Sequence, residues 1–205
     1  MKNIITISRE LGSGGRTIGK LVAERKNIPY YDRELIDEAA KLSGVPAEYI
    51  EKSDQKITNS FLYNLAMGTS YGYGMLEEAS GQPLPLTTQV FCAQQEIIRN
   101  YANAGSCVIV GRCADYILRD RNDVLRVFIY SDMEKRVEHS VKEYGMSETT
   151  ARSEIARSDK ERARHYSMFT DKDWGDRKNY DILLNSGELG YENCVKIICS
   201  LMEKS

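Results

Sequence analysis

Five short apolar runs punctuate the chain, at residues 4–7, 28–32, 107–110, 124–130 and 180–184. Stretches of helical period separate them. Behind the first run, Ile18, Leu21 and Val22 recur at i, i+3 and i+4. Residues 34–42, 114–118 and 134–144 read as helices after the next runs, and Val195, Ile197, Ile198, Leu201 and Met202 give a closing helix its apolar face. Runs this apolar have no polar side to show water, so both faces of the sheet they form must be covered. Parallel strands need crossovers, and helical crossovers bury a sheet. The pattern predicts an α/β fold: a five-stranded parallel sheet with helices on both faces. No repeat recurs at a fixed period, which disfavours a solenoid.

The chain has 205 residues, enough for one domain over 1–205 with a lobe inserted in it. The insertion falls at residues 43–105, between the second and third strands. It carries helical patterns at residues 47–52 and 58–67 and from Thr88 onward, with Gly105 as a stop. Inside it, residues 68–86 form a Gly-, Tyr- and Pro-rich loop that breaks both periods. In an α/β fold, an insertion at the carboxyl end of a strand lies where ligands bind. Twenty-eight Lys and Arg against 30 Asp and Glu leave a net charge of −2, which argues against a nucleic-acid polymer or a membrane surface as partner. No segment reaches the length of a bilayer span, and the N-terminal apolar run is too short for a signal peptide, so the expected location is cytoplasmic. The five cysteines contain no C-x-x-C pair and only two histidines accompany them, so they read as reduced, buried small residues.

The junction of the first strand with its helix, Glu10-Leu11-Gly12-Ser13-Gly14-Gly15-Arg16-Thr17, carries the chemistry. Successive backbone N–H groups in such a turn, joined to the unpaired N–H groups of the next helix, form a concave anion site reinforced by the helix dipole. The strict phosphate loop is G-x-x-x-x-G-K-S/T. Aligned on its end, this chain has Glu10 in place of the first glycine and Arg16 in place of the lysine. Thr17 falls where a hydroxyl would ligate Mg²⁺. The spacing of Gly12, Gly14 and Gly19 departs from the G-x-G-x-x-G of dinucleotide sites.

Residues 8–16 and then Ile28-Pro29-Tyr30-Tyr31-Asp32 resemble the start of the cytidylate kinase-like family, a divergent branch of the P-loop nucleoside monophosphate kinases. The resemblance continues at Val110-Gly111-Arg112, at Asp159-Lys160-Glu161-Arg162 and at Trp174-Gly175-Asp176 with Asn179-Tyr180-Asp181, and so covers nearly the whole chain. It implies P-loop kinase architecture with a lid over residues 145–178, ATP and Mg²⁺ as cofactors, and nucleotides as small-molecule substrates. By this resemblance Arg112 meets the acceptor nucleotide, although Cys113 stands where cytidylate kinases carry an aspartate, with Asp115 nearby. Lid arginines are implied at Arg157 and Arg162, to clamp donor and acceptor phosphates, with Arg164 third. Arg157 and Arg164 are seven apart and share one face of the charged helix at residues 157–166, whereas Arg162 lies on another. Such a charge run also reads as a solvated face. Asp32 would orient the acceptor phosphate or Mg²⁺, or cap the helix that follows it, or do both; Arg33 would meet the acceptor phosphate. Trp174 stacks on a base or anchors the lid by burial.

The expected activity is therefore transfer of the γ-phosphate of ATP to a nucleoside monophosphate, CMP or dCMP above others. Backbone amides of Gly12, Ser13, Gly14, Gly15, Arg16 and Thr17 cradle the donor, and Arg16, Arg112, Arg157 and Arg162 stabilise charge on the moving group. Two alternatives stay open: a kinase for another small acceptor, and a nucleotide-binding or sensing protein without catalysis. Tyr71 and Tyr73 suit a homodimer contact as well as a substrate.

Overall fold

The computed structural model describes residues 2–32, 34–43 and 86–203. Strands β1 (Ile4–Arg9), β2 (Tyr30–Tyr31), β3 (Cys107–Val110), β4 (Val124–Tyr130) and β5 (Ile182–Asn185) form one sheet in the order β2-β3-β1-β4-β5. Every pairing is parallel. Ile4 to Ile7 run beside Cys107 to Val110, and Ile4 to Arg9 run beside Val124 to Ile129, so β1 is the central strand. The five-stranded parallel sheet read from the apolar runs is the one observed. Its second strand is shorter than residues 28–32, because only Tyr30 and Tyr31 pair with β3.

The helices are α1 (Gly15–Lys26), α2 (Glu34–Ser43), α3 (Leu86–Ala104), α4 (Ala114–Ile117), α5 (Met133–Tyr144), α6 (Glu148–Thr170), α7 (Ser186–Leu189) and α8 (Tyr191–Glu203). Strand side chains alternate between faces. On β1, Ile5 and Ile7 join Ile18 and Val22 of α1 and Cys194, Val195 and Ile198 of α8 in one core layer. Ile4 faces the other layer, where Leu35 of α2, Phe91 and Ile98 of α3 and Tyr166 of α6 pack. Burying each such Ile, Leu or Val side chain contributes roughly 1.5–3 kcal/mol.

Helix α6 is a 23-residue rod, far longer than the charged stretch at 157–166. Ser147 caps its start by accepting from the Thr150 N–H, and Asp171 ends it in the left-handed conformation. It is largely polar yet ordered, because Ala151 and Ile155 pack with Val137 of α5 in a small separate core. Of the 43–105 span, the described part is the end of α2, helix α3 and Gly105. The patterns at 47–52 and 58–67 and the loop at 68–86 lie outside the described residues, apart from Leu86 at the start of α3. Among the described residues, no helix is long and apolar enough to cross a membrane.

In this strand order the chain leaves β1 toward one side of the sheet and later returns to build the other. The carboxyl end of β1 is therefore the point where a crevice opens. The glycine turn sits there.

Candidate active site

The turn is tied down before it is offered to a ligand. The Glu10 N–H donates to Ile129 O on β4 at 3.0 Å, and the Ser13 hydroxyl lies 2.9 Å from Glu10 O and 3.1 Å from Ile129 O. Ser186 closes the other side, its hydroxyl 2.6 Å from Ser13 O. Gly14 is left-handed (φ 74°) and heads α1 with no side-chain cap. A Cβ there would run into the Tyr191 ring, so both the turn and its packing require glycine. The N–H groups of the first α1 turn have no intrahelical acceptor, and that turn carries no acidic side chain, which is what an anion site needs. Thr17, on this turn, is exposed.

Glu10, the departure from the strict loop, is turned into the protein. Its carboxylate accepts from the Ser131 N–H at 3.1 Å and pairs with Arg136 of α5 at 2.8 Å. Arg136 is only 6% exposed. It also donates to Leu11 O at 2.9 Å and pairs with Asp159 of α6. Asp159 in turn accepts from the Leu11 N–H at 2.9 Å and lies 3.4 Å from Arg162. The negative charge of Glu10 is thus matched inside a clasp that fastens α5 and α6 to the loop, and it does not oppose phosphate.

Guanidinium groups converge on the crevice from four elements. Arg16, from α1, is half exposed and reaches Asp32 at the end of β2, Nε to Oδ2 2.8 Å. Arg9, the last residue of β1, is 14% exposed and lies 3.7 Å from the other oxygen of the same carboxylate. Arg112 follows β3, and Arg162, from α6, donates to Arg9 O at 3.2 Å. Burial first, then the charges of Arg9 and Arg16, pull Arg112 down to about 10, with Asp32 opposing. Burial and the Arg9 charge likewise pull Arg162 down to about 9, although Asp159 supports it. Arginine keeps its proton in proteins. These directions record burial first and repulsion among the assembled cations second, and a bound polyanion would oppose both.

The β3–α4 turn holds Arg112 under strain. Gly111, Arg112 and Cys113 all have positive φ (77°, 58° and 53°). For the two non-glycine residues this costs about 1–2 kcal/mol each, and such strain clusters at functional sites. The turn is kept by Gly111 N–H to Ile7 O (2.9 Å) and by Ile117 N–H to Cys113 O (2.9 Å). Cys113 is buried with Sγ 3.6 Å from His165 Nδ1. Asp115 is buried too, accepting from the Tyr166 hydroxyl at 2.6 Å, with burial raising its carboxyl above the ordinary range. Neither presents a carboxylate beside Arg112.

The structure therefore brings Gly12, Ser13, Gly14, Gly15, Arg16, Thr17, Asp32, Arg112 and Arg162 to one crevice. Ser13 serves there through its backbone, since its hydroxyl holds the turn. Arg157 stands apart, paired with Glu154 at 2.6 Å and Glu161 at 3.0 Å on the outer side of α6. Arg164 is exposed. Arg33 lies outside the described residues. The Asp32 carboxylate is engaged by Arg9 and Arg16, and Tyr30 OH lies 3.5 Å from it. Trp174 meets Phe128 edge-on at 5.2 Å and packs on the core, which favours anchoring by burial. Sequence reasoning missed Arg9, Arg136 and Asp159. The alternation along β1 was a usable signal for Arg9, because Ile5, Ile7 and Arg9 share the face that meets α1.

This arrangement has recorded relatives. The model of the cytidylate kinase-like family matches residues 4–188. The chain belongs to the cytidylate kinase-like family. A cytidylate kinase of Archaeoglobus fulgidus is 26% identical over 200 residues, which span 97% of this chain and 94% of that protein. Among solved structures, an uncharacterized protein of Eubacterium ventriosum is similar with a TM-score of 0.72 and 27% identity, covering 98% of this chain and 99% of that one. The shikimate kinase of Bacteroides thetaiotaomicron shares the fold at a TM-score of 0.51 and 17% identity, with 98% of each chain covered. Family and architecture thus agree on a P-loop kinase fold, and membership places the chain among kinase-type phosphotransferases that bind nucleotide.

Proposed function

We propose that this chain transfers the γ-phosphoryl group of ATP to a nucleoside monophosphate, with CMP or dCMP as the first candidates. The observation that carries this reading is the convergence of Arg9, Arg16, Arg112 and Arg162 where the glycine loop meets the β2–β3 edge. The loop amides receive the donor phosphates, Arg16 adds a half-exposed charge to them, and Arg112 receives the acceptor phosphate. An acceptor phosphate oxygen attacks the γ-phosphorus, and the bond from that phosphorus to the β–γ bridging oxygen breaks. ADP leaves with that electron pair. The acceptor phosphate is already ionised, so no general base is required, and positioning with charge stabilisation supplies the rate.

Mg²⁺ would arrive with the nucleotide and offset charge between its phosphates, with Thr17 holding it. The donor set fits that role. Thr17 is exposed beside the uncapped first turn of α1, and among the described residues no trio of His, Cys, Asp or Glu gathers as a separate cation nest. Arg162 joins the centre through α6, so the lid over residues 145–178 is the element that completes it. All five cysteines are free thiols, which accords with a cytoplasmic setting.

The test is ADP release from Mg-ATP across a panel of nucleoside monophosphates, with Arg16→Ala as control. Strong stimulation by CMP, dCMP or UMP, lost in Arg16→Ala, is the expected result. Turnover only with a non-nucleotide acceptor would overturn the acceptor assignment, and tight nucleotide binding without any acceptor-dependent release would overturn catalysis.

A further inference from the structure

We propose that Arg9, the last residue of β1, is a catalytic cation that contacts the phosphoryl group in transit, in a channel kept open by Gly15 and Gly111. The inference rests on the phosphotransferase reading above and assigns that site a residue outside its glycine loop.

The argument begins with the strand period. On β1, Ile5 and Ile7 point toward α1, and two residues further on Arg9 points the same way. There its stem meets Gly15, where a Cβ would stand 2.5 Å from Arg9 Cβ and 2.9 Å from Arg9 Cγ. Its head passes over Gly111, where a Cβ would collide with Nη1. Two glycines on different elements thus clear one path for one side chain. Gly15 opens the helix of the donor loop, while Gly111 follows β3 and precedes Arg112. The guanidinium accordingly spans from the donor loop to the acceptor edge, and Asp32 steadies it from the end of β2 at 3.7 Å.

Electrostatics support the placement. Arg9 exerts the largest charge effect on both Arg112 and Arg162, so its charge reaches both, and its backbone carbonyl accepts from Arg162 at 3.2 Å. Burial lowers Arg9 itself, Asp32 supports it and Arg16 repels it. Asp32 offsets part of the cost of enclosing this cation among cations, and a phosphoryl group would offset more. In the transfer, negative charge spreads over the equatorial oxygens of the γ-phosphoryl group as the bond to the leaving ADP oxygen lengthens and the acceptor oxygen closes in. A planar fork held midway stabilises that charge more than it stabilises either substrate.

Arg9→Met keeps an apolar stem against Gly15 and removes the charge. The expected result is a kcat about 10²–10³-fold lower, the scale of losing one preorganised donor to a transition-state anion. Both KM values should stay within about threefold. Added guanidinium chloride at low millimolar concentration should restore the rate of Arg9→Met at least tenfold over a sodium chloride control, while leaving wild type unchanged. A merely structural role would not give that rescue. Gly111→Ala, which obstructs the head while keeping the charge, should lose kcat in the same range and should not be rescued. A folded Arg9→Met with kcat within about threefold of wild type overturns the proposal, and so does a large loss that guanidinium fails to restore.

Binding separates this inference from the functional reading. If wild type turns over no acceptor, the reading fails, and binding of ADP with aluminium fluoride, a mimic of the phosphoryl group in transit, then decides the residue. Arg9→Met should weaken binding of that mimic about tenfold or more and leave ATP and ADP binding within about threefold; an equal change in all three overturns the role of Arg9.

Discussion

His165 is a titratable group that the fold keeps neutral at a cost paid in acid. Burial, and then the neighbouring Arg112 charge, push its imidazole down to about 3 from an ordinary value near 6.5. The unfolded chain therefore binds a proton as pH falls through about 6.5, and the folded chain does not until about 3. The stability associated with a neutral His165 is complete above pH 6.5 and shrinks across that window. By pH 5 the loss amounts to at most about 2 kcal/mol relative to pH 7.5, at 1.36 kcal/mol per unit. Asp115 acts in the opposite direction, since burial raises its carboxyl and the folded chain takes up that proton first. Denaturant unfolding of wild type and His165→Gln at pH 7.5 and 5.0 isolates the histidine contribution. Wild type should lose about 2 kcal/mol more than the variant over that interval, and equal losses would refute the buried, neutral assignment. At this scale the sequence is a partial guide. Cys113 in an aspartate's place was visible, but not that Cys113 and His165 would meet, nor that Asp115 would turn to Tyr166. Glu10 was visible as an intruder in the loop, while its neutralisation by Arg136 depends on a helix far along the chain.

At the scale of elements, the sheet was legible because its strands are apolar on both faces, which leaves a short run little else to become. The helix registers flanking it were legible from their stripes. Helix α6 was read only in its charged middle, for its mean composition is polar and its few buried residues, Ala151, Ile155, Tyr166, Met168 and Thr170, give a weak stripe. That is why spacing could set Arg162 on a different face from Arg157 and Arg164 but not say which face turns to the crevice. The fold sorts them by partner: Arg162 turns to Asp159 and the carbonyl of Arg9, while Arg157 is engaged by Glu154 and Glu161 in solvent. Exposed pairs of that kind contribute about 0.3–0.5 kcal/mol. Arg157→Ala should accordingly leave kcat within about threefold and stability within about 0.5 kcal/mol. Arg162→Ala should lower kcat roughly 10²-fold or more. Steady-state kinetics with urea unfolding on both variants distinguishes these assignments, and a large kcat loss in Arg157→Ala with a silent Arg162→Ala would reverse them.

Across the whole molecule, a chain of net charge −2 concentrates four arginines on one crevice, with Asp32 as the carboxylate that meets two of them. Global charge therefore predicts weak repulsion of anions, and local charge predicts strong attraction. The two can be told apart by how stability responds to a polyanion. The clasp of Glu10, Arg136 and Asp159 holds the loop in shape without a ligand, so little of the binding free energy is spent on ordering it. An anion that binds the folded state alone, present at a hundredfold excess over its Kd, stabilises by about 2.7 kcal/mol. For a domain of this size that corresponds to a rise in Tm of roughly 5–10 °C. Inorganic tripolyphosphate is the probe, because it carries the donor's chain of phosphates without a base. Thermal unfolding of wild type in saturating tripolyphosphate should show that rise, against no more than about 1 °C in sodium chloride of equal ionic strength, where screening acts without a specific site. Arg112→Gln and Arg162→Gln remove one cation each from the crevice. Each should raise the intrinsic Tm or leave it unchanged, by relieving repulsion, while cutting the tripolyphosphate response by at least half. A response that survives in both variants would move the polyanion site away from this crevice, and with it the reason for assembling these cations at the carboxyl end of β1.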